Sequence, residues 1–133
     1  MTNRPPLLQD VRILDLSTVI AAPFASTLCA DLGALVTKIE LPDGSDALRG
    51  LAPTTPEHAL YWKAVNRGKK GITLDVRIAR GRELFLKAIQ KTDVLVENFR
   101  TGTLDRWDLS LETLLTANPN LIILRLTGFG QTG

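Results

Sequence analysis

The stretch "ENFRTGTLDRW", residues 97–107, gathers several groups that can handle a small anionic ligand. Asn98 offers both donors and an acceptor. Phe99 is aromatic where a loop is ordinarily polar, and its ring can cover a base or a pantetheine arm. Arg100 and Arg106 carry planar, permanently charged forks suited to phosphates. Thr103 to Trp107 can begin a helix whose free amides attract anions. The residue types also fit a second reading, in which Phe99 and Trp107 pack the loop and the arginines are solvated. Residue types alone leave both open.

Two other stretches invite comparison with phosphate-binding loops. "NRGKKG" (66–71) is basic and glycine-rich but lacks P-loop spacing, and it reads as a solvated charge run. "GFGQTG" (128–133) has the spacing G-x-G-x-x-G and follows an apolar run, "LIILRLT" (121–127). A dinucleotide fingerprint, however, belongs in the first strand-to-helix turn, with a helix after it and an acidic residue about 20 positions on. Here the first strand leads into "STVIAAP" (17–23), which has no glycine. The terminal glycines therefore read as a turn and not as a cradle for NAD or FAD.

The remaining reactive side chains do not assemble into a catalytic set. His58 is the one histidine, in a proline-flanked polar stretch with no metal partners in view, and it is expected at the surface. Cys29 is the one cysteine, so no internal disulfide framework exists and a reducing compartment is expected. On its apparent helix it reads as a small buried hydrophobe. The carboxylates Asp15, Asp31, Glu40, Asp75, Asp93, Glu97 and Asp105 are scattered, and Asp15 is expected to bond local backbone. No catalytic residue and no metal site is assigned.

Composition narrows the classes further. The 133 residues are 44% hydrophobic and 23% charged, which are globular values. The net charge of +2, from 16 Lys+Arg against 14 Asp+Glu, is too small to point to nucleic acid. No stretch approaches the roughly 20 apolar residues of a membrane span, and "MTNRPPLLQD" has no apolar signal core. The expectation is a soluble, cytoplasmic protein with no nucleic-acid or membrane partner.

The elements that must position these residues alternate in type. Strands are expected at 11–17, 35–40, 72–76, 93–99 and 121–127. A helix over 23–34 has Pro23 at its start, Phe24, Leu28 and Leu32 at helical spacing, and Gly33 at its end. Residues 60–66 form one or two helical turns, and 47–59 give no clear element. The amphipathic helix over 78–92 has an apolar side that includes Leu84, Leu86 and Ile89. A short helix over 110–120 carries Ser110 as a cap with Thr113 at its third position, half of a capping box. Strands interleaved with helices predict an α/β fold, an open, mostly parallel Rossmann-like sheet with flanking helices. Ligands in such sheets bind beyond the carboxyl ends of the strands. That rule lines up residues 17–23, 41–46, 97–102 and 127–133 along one edge.

The ordered set "ADLGA", "NRGKKGITLD", "ENFRTG" and "GFGQTG" resembles the N-terminal part of family III coenzyme A transferases, a group that includes formyl-CoA and carnitinyl-CoA transferases with α-methylacyl-CoA racemases as relatives. The resemblance runs from Val11 to Gly133. It implies that residues 1–133 are the N-terminal part of the large CoA-binding domain, incomplete relative to the family fold, with the small domain and the C-terminal ring-closing segment absent. Coenzyme A or acyl-CoA then arrives as substrate, no cofactor is tightly bound, and the second substrate is a carboxylic acid. The implied CoA contacts are Val19, Ile20 and Ala21 after the first strand, Leu74 on the third, and Asn98, Phe99, Arg100, Thr103 and Arg106 on the "ENFRTGTLDR" loop. Ile20 stands where formyl-CoA-type members carry glutamine, and it cannot donate the corresponding hydrogen bond, so formyl or oxalyl specificity is not expected. Leu41 stands where some members carry an arginine. In the transferases an aspartate forms mixed anhydride and thioester intermediates, and the resemblance places it beyond residue 133. The fragment is accordingly expected to be inactive alone, to expose apolar sheet faces and to self-associate, while whole family members form interlocked homodimers. A racemase fragment and a non-catalytic binding or assembly module are the alternatives.

Overall fold

The structure, a computed structural model, describes residues 5–132, with the side chain of His58 outside the described set. Its main sheet has five parallel strands: β1 (Arg12–Asp15), β2 (Leu35–Glu40), β5 (Lys70–Thr73), β6 (Val94–Glu97) and β7 (Ile122–Arg125). They lie in the order β5-β2-β1-β6-β7. The expected α/β class and the parallel sheet are both present. A separate two-residue pair, β3 (Thr54–Thr55) with β4 (His58–Ala59), occupies the stretch that gave no clear element, together with a 3₁₀ turn at Ala47–Gly50, and the expected short helix follows as α2 (Leu60–Val65).

Side chains alternate across a strand, so each central strand feeds two cores. Leu14 and Leu95 sit in register on one face, with Ile39 beside them, under α3 (Ala79–Ile89) and α5 (Leu111–Ala117). Ile13, Val36 and Val96 point to the other face, against Ala22 of α1 (Ala21–Asp31). Burial on both faces explains why these strands read as apolar runs and do not alternate cleanly.

The order reverses at β1: β2 and β5 lie to one side, β6 and β7 to the other. The carboxyl ends of β1 and β6 therefore frame the crevice where open α/β sheets take their ligands.

Several boundaries differ from expectation, each for a local reason. Strand β5 covers 70–73, not 72–76. After Thr73 the Leu74 N–H still donates to the Glu40 carbonyl at 2.9 Å, but Asp75 then accepts from the Arg77 N–H at 3.0 Å and turns the chain away. Helix α1 starts at Ala21, two residues before Pro23. Pro23 is tolerated there because first-turn N–H groups have no intrahelical partner. Its apolar row Phe24, Leu28, Leu32 is 41–47% exposed, while the small residues Ala22, Ser26 and Thr27 face inward. In α3 the buried row is Gly81, Phe85, Ile89, and Leu84 lies outside it. Ser110 caps α5 as expected, accepting from the Thr113 N–H at 3.1 Å. Cys29 is half-buried beside the Ala22 cluster. On edge strand β7, Ile122 and Leu124 are exposed.

Among the described residues, no helix is long and apolar enough to cross a membrane, and no group of three or more His, Cys, Asp or Glu is placed to hold a metal ion.

Gly81 gives a decisive test of the α3 packing. A Cβ at this position would lie 1.7 Å from the Asp75 carbonyl oxygen. Helix propensity alone favours Gly81→Ala by about 1 kcal/mol. Overpacking against backbone costs about 1–3 kcal/mol or more, so the variant is expected to be less stable, read as a lower urea midpoint. A higher midpoint would show that α3 does not approach the 75–76 turn this closely.

Candidate functional site

The rim at the switch point is built on a buried set of charges. Asp15 ends β1 with no exposure, and the side chains of Lys38, on β2, and Lys69, just before β5, are each 1% exposed. Lys69 Nζ donates to Asp15 Oδ2 at 2.7 Å, to the Pro23 carbonyl at 2.6 Å and to Asn66 Oδ1 at 2.9 Å. Ser26 Oγ donates to Asp15 Oδ2 at 2.6 Å, and both the N–H and the hydroxyl of Ser17 donate to Asp15 Oδ1. Lys38 donates to the Ser17 carbonyl and lies 3.9 Å from Asp15 and 3.7 Å from Asp46. Two ammonium groups thus face two carboxylates, out of water.

This arrangement answers two sequence expectations. Asp15 does bond local backbone, through Ser17, but that is a small part of its role. The reading of "NRGKKG" as a solvated charge run is wrong for Lys69 and for Asn66, which is also buried. Sequence reasoning missed Lys38, Lys69 and Asp46. The available signal was Lys38 itself, a cation inside an apolar strand covered on both faces, which must have a partner.

The charge set shapes the loop above it. Val19 has φ +66°, an uncommon conformation for a β-branched residue. Its N–H donates to Asp46 Oδ1 at 3.0 Å, and the same oxygen caps the 3₁₀ turn through the Leu48 N–H at 3.1 Å. Thr18 and Asn98 then join β1's exit to β6's exit: the Thr18 N–H donates to Asn98 Oδ1 and Asn98 Nδ2 donates to the Thr18 carbonyl, both at 2.8 Å.

Beyond Asn98 the loop is stiffened from inside. Glu97 is buried, and its Oε2 accepts the Phe99 N–H at 2.8 Å. Its Oε1 is 3.2 Å from Arg125 Nε, close enough for an ion pair but not aligned as a hydrogen bond. Burial pushes the Glu97 carboxyl up, against the lowering pull of the Phe99 N–H and Arg125. Phe99 meets Trp107 edge to face, centroids 4.9 Å apart, and both rings rest on the main core. Packing is therefore a role that Phe99 fulfils in this structure. Arg100 and Arg106 remain exposed, and Arg106 donates to Thr103 Oγ1 at 2.9 Å on the short helix α4 (Thr103–Arg106).

The site residues implied by the resemblance fall into two groups. Val19, Ile20 and Ala21 follow Thr18, which pairs with Asn98, and of the three Ala21 lines a cleft with Asn98; Phe99, Arg100, Thr103 and Arg106 continue from Asn98. Leu74 follows β5, two strands from β1, and packs on the main core. A cleft of about 590 Å³ opens between Ala21, Asn98 and the chain after β7. Ile20, Phe24 and Tyr61 line a smaller apolar hollow of about 220 Å³. The glycine turn begins as a tight loop, with Thr127 Oγ1 donating to the Gly130 carbonyl at 2.8 Å; Gly133 lies outside the described residues.

Comparison with known proteins places these features in a family. Residues 8–133 match the family model described as CoA-transferase family III. The chain is 46% identical over 127 residues to the succinyl-CoA–L-malate CoA-transferase beta subunit of Chloroflexus aurantiacus, covering 95% of this chain and 31% of that protein. It is 39% identical to the succinate–glutarate CoA-transferase of Agrobacterium fabrum, covering 100% and 35%. The crystal structure of a CAIB/BAIF family protein from Brucella suis superposes with a TM-score of 0.89 at 38% identity, covering 98% of this chain and 35% of that one. The chain thus spans about a third of the length of the relatives it matches.

The charge set makes a pH-dependent prediction. Burial alone would raise Asp15, but Lys38 and Lys69 outweigh it and hold the carboxyl below its usual range. Its contribution to stability is present above the unfolded value near 3.8 and is lost as pH falls through the lower folded value. Lys69→Met removes one of the two lowering cations and breaks a buried pair, at an expected cost of about 3–5 kcal/mol. Urea midpoints should be lower than the parent's at pH 7, and the gap should narrow as pH falls below 3.8, because less Asp15 stabilisation remains to be lost in the variant. A gap that stays constant would show that Lys69 does not hold Asp15 ionised.

Proposed function

This chain belongs to CoA-transferase family III, and we propose that its rim between β1 and β6 binds the CoA moiety of an acyl-CoA for transfer to a carboxylic acid. The observation that carries the reading is the reciprocal Thr18–Asn98 pair. It draws the backbone of 19–21 and the start of the arginine-bearing loop to the two strand ends that frame the switch point. One ligand spanning the rim can then meet an apolar, narrow wall at one end and two exposed guanidinium groups at the other.

In this reading Arg100 and Arg106 take the phosphates of CoA, with the α4 amides beside them. Val19, Ile20 and Ala21 line the path of the pantetheine arm, Asn98 fixes the loop and can exchange bonds with the arm's amides, and Phe99 and Leu74 supply apolar walls. The Val19 conformation serves this arrangement by turning the 19–21 backbone over the Asp46 carboxylate. CoA is a substrate here and not a resident cofactor. The chain acts as the N-terminal part of the large CoA-binding domain, and the aspartyl step of transfer is assigned to none of its residues. The names of its relatives favour CoA transfer over the racemase reading. An interlocked homodimer and a cytoplasmic setting belong to the same proposal.

Calorimetric titration of CoA into the chain tests the phosphate placement. Arg100→Ala and Arg106→Ala should each weaken CoA by roughly tenfold or more, since a charged hydrogen bond contributes about 1.5–3 kcal/mol. Binding should also weaken as salt rises. If both variants bind CoA as the parent does, the phosphates lie elsewhere.

A further inference from the structure

Arg125 is placed unlike the arginines of the outer loop. It ends β7, in register with Glu97, and its side chain is 22% exposed. Glu97 holds its Nε edge, and Glu97 is itself fixed by the Phe99 N–H. The two terminal nitrogens make no hydrogen bond to any described residue. A guanidinium carries five donors in a rigid fork. Nε is the buried atom, held by Glu97, while the terminal nitrogens are the part of the side chain still open to water, where an incoming acceptor can reach them as a pair.

Arg125 also lines the cleft of about 590 Å³ together with Ala21, Asn98, Leu126, Thr127, Gly128 and Gly130. Of these seven it is the one charged residue. Thr127 is committed to the Gly130 carbonyl, and Asn98 to Thr18. Arg125 is therefore the one charged donor that the cleft's side chains offer an incoming anion, with the second Nδ2 hydrogen of Asn98 beside it. Glu97 already offsets part of the positive charge, so the site matches a singly charged, planar, two-oxygen group better than a phosphate. That distinguishes it from exposed Arg100 and Arg106.

We propose that Arg125 anchors the free carboxylate of a short dicarboxylic acid, or of its acyl-CoA, in the cleft beside Asn98. The proposal rests on the CoA-transfer reading for what the rest of the substrate is: the opposite carboxyl is the one that exchanges CoA. The Arg125 fork would then discriminate a dicarboxylate from a monocarboxylate of the same length, because the latter leaves the fork unpaired.

Titrations of succinate, butyrate and inorganic phosphate, followed by nuclear magnetic resonance on this chain, decide the matter. The parent should bind succinate at least tenfold more tightly than butyrate or phosphate. Arg125→Gln should remove that preference. Arg125→Lys keeps a cation beside Glu97 and should keep the thermal midpoint, yet it should weaken succinate several-fold by losing the fork. CoA affinity should be unchanged in both variants. Absent succinate binding, equal binding of butyrate, tighter binding of phosphate, or an unaltered preference in Arg125→Lys each overturns the proposal. If the parent fails to bind CoA while the Arg125-dependent preference for succinate holds, the CoA reading falls and the carboxylate anchor stands.

Discussion

The structure turns on four buried charges. Asp15, Lys38, Lys69 and Asp46 come from four separate stretches of chain and meet beneath the loop that leaves β1. Removing charges from water is costly, and the cost is recovered only when each is paired and its other hydrogen-bonding positions are filled. Ser17, Ser26, Asn66 and the Pro23 carbonyl fill most of those positions. Asp46 Oδ2 is the exception, with Lys38 at 3.7 Å as its counter-charge and no hydrogen bond. The need for this closure explains why α1 turns its small, hydroxyl-bearing side inward and leaves Phe24, Leu28 and Leu32 outside. A leucine at position 26 could neither fit beside Asp15 nor satisfy it.

From that base the rim follows. A non-glycine residue in the left-handed region costs about 1–3 kcal/mol and persists only when its surroundings hold it. Val19 is held by the Asp46 carboxylate, and Asp46 faces Lys38. The geometry of the loop that meets Asn98 is thus set two layers below the surface. Asn98 carries the constraint across to β6, where Glu97 and the Phe99–Trp107 pair keep the arginine-bearing loop from folding away. Rigid support beneath exposed, charged tips is what a site for a long, flexible, anionic ligand requires, since such a ligand gives up much freedom on binding.

The glycine-rich end of the chain finds its place in this setting. A dinucleotide fingerprint operates at the first strand-to-helix turn, but here that turn is the glycine-free stretch around Val19. The glycines follow β7, next to the cleft lined by Ala21 and Asn98, where Gly128 leaves open space that a Cβ would enter freely. Gly128 and Gly130 shape one wall of that crevice.

The amino-acid sequence by itself determined the α/β class, the five strands and most of the helices, because apolar period, proline, glycine and Ser110 act within a few residues of one another. It also placed residues 17–23 and 97–102 on one edge, because parallel strands joined by helices end on the same side. Helix faces were less legible. Leu84 and Phe85 both fit an apolar row, and only the contact of Gly81 with the 75–76 turn chose between them. Tertiary structure alone decided the charge set, the strand order that puts β1 beside β6, and the pairing of Glu97 with Arg125. Asp15 meets Lys69 from 54 residues away, and a lone lysine or glutamate in sequence does not name the opposite charge it will meet. Local pattern specifies what each element is, and burial of charge specifies how the elements must come together.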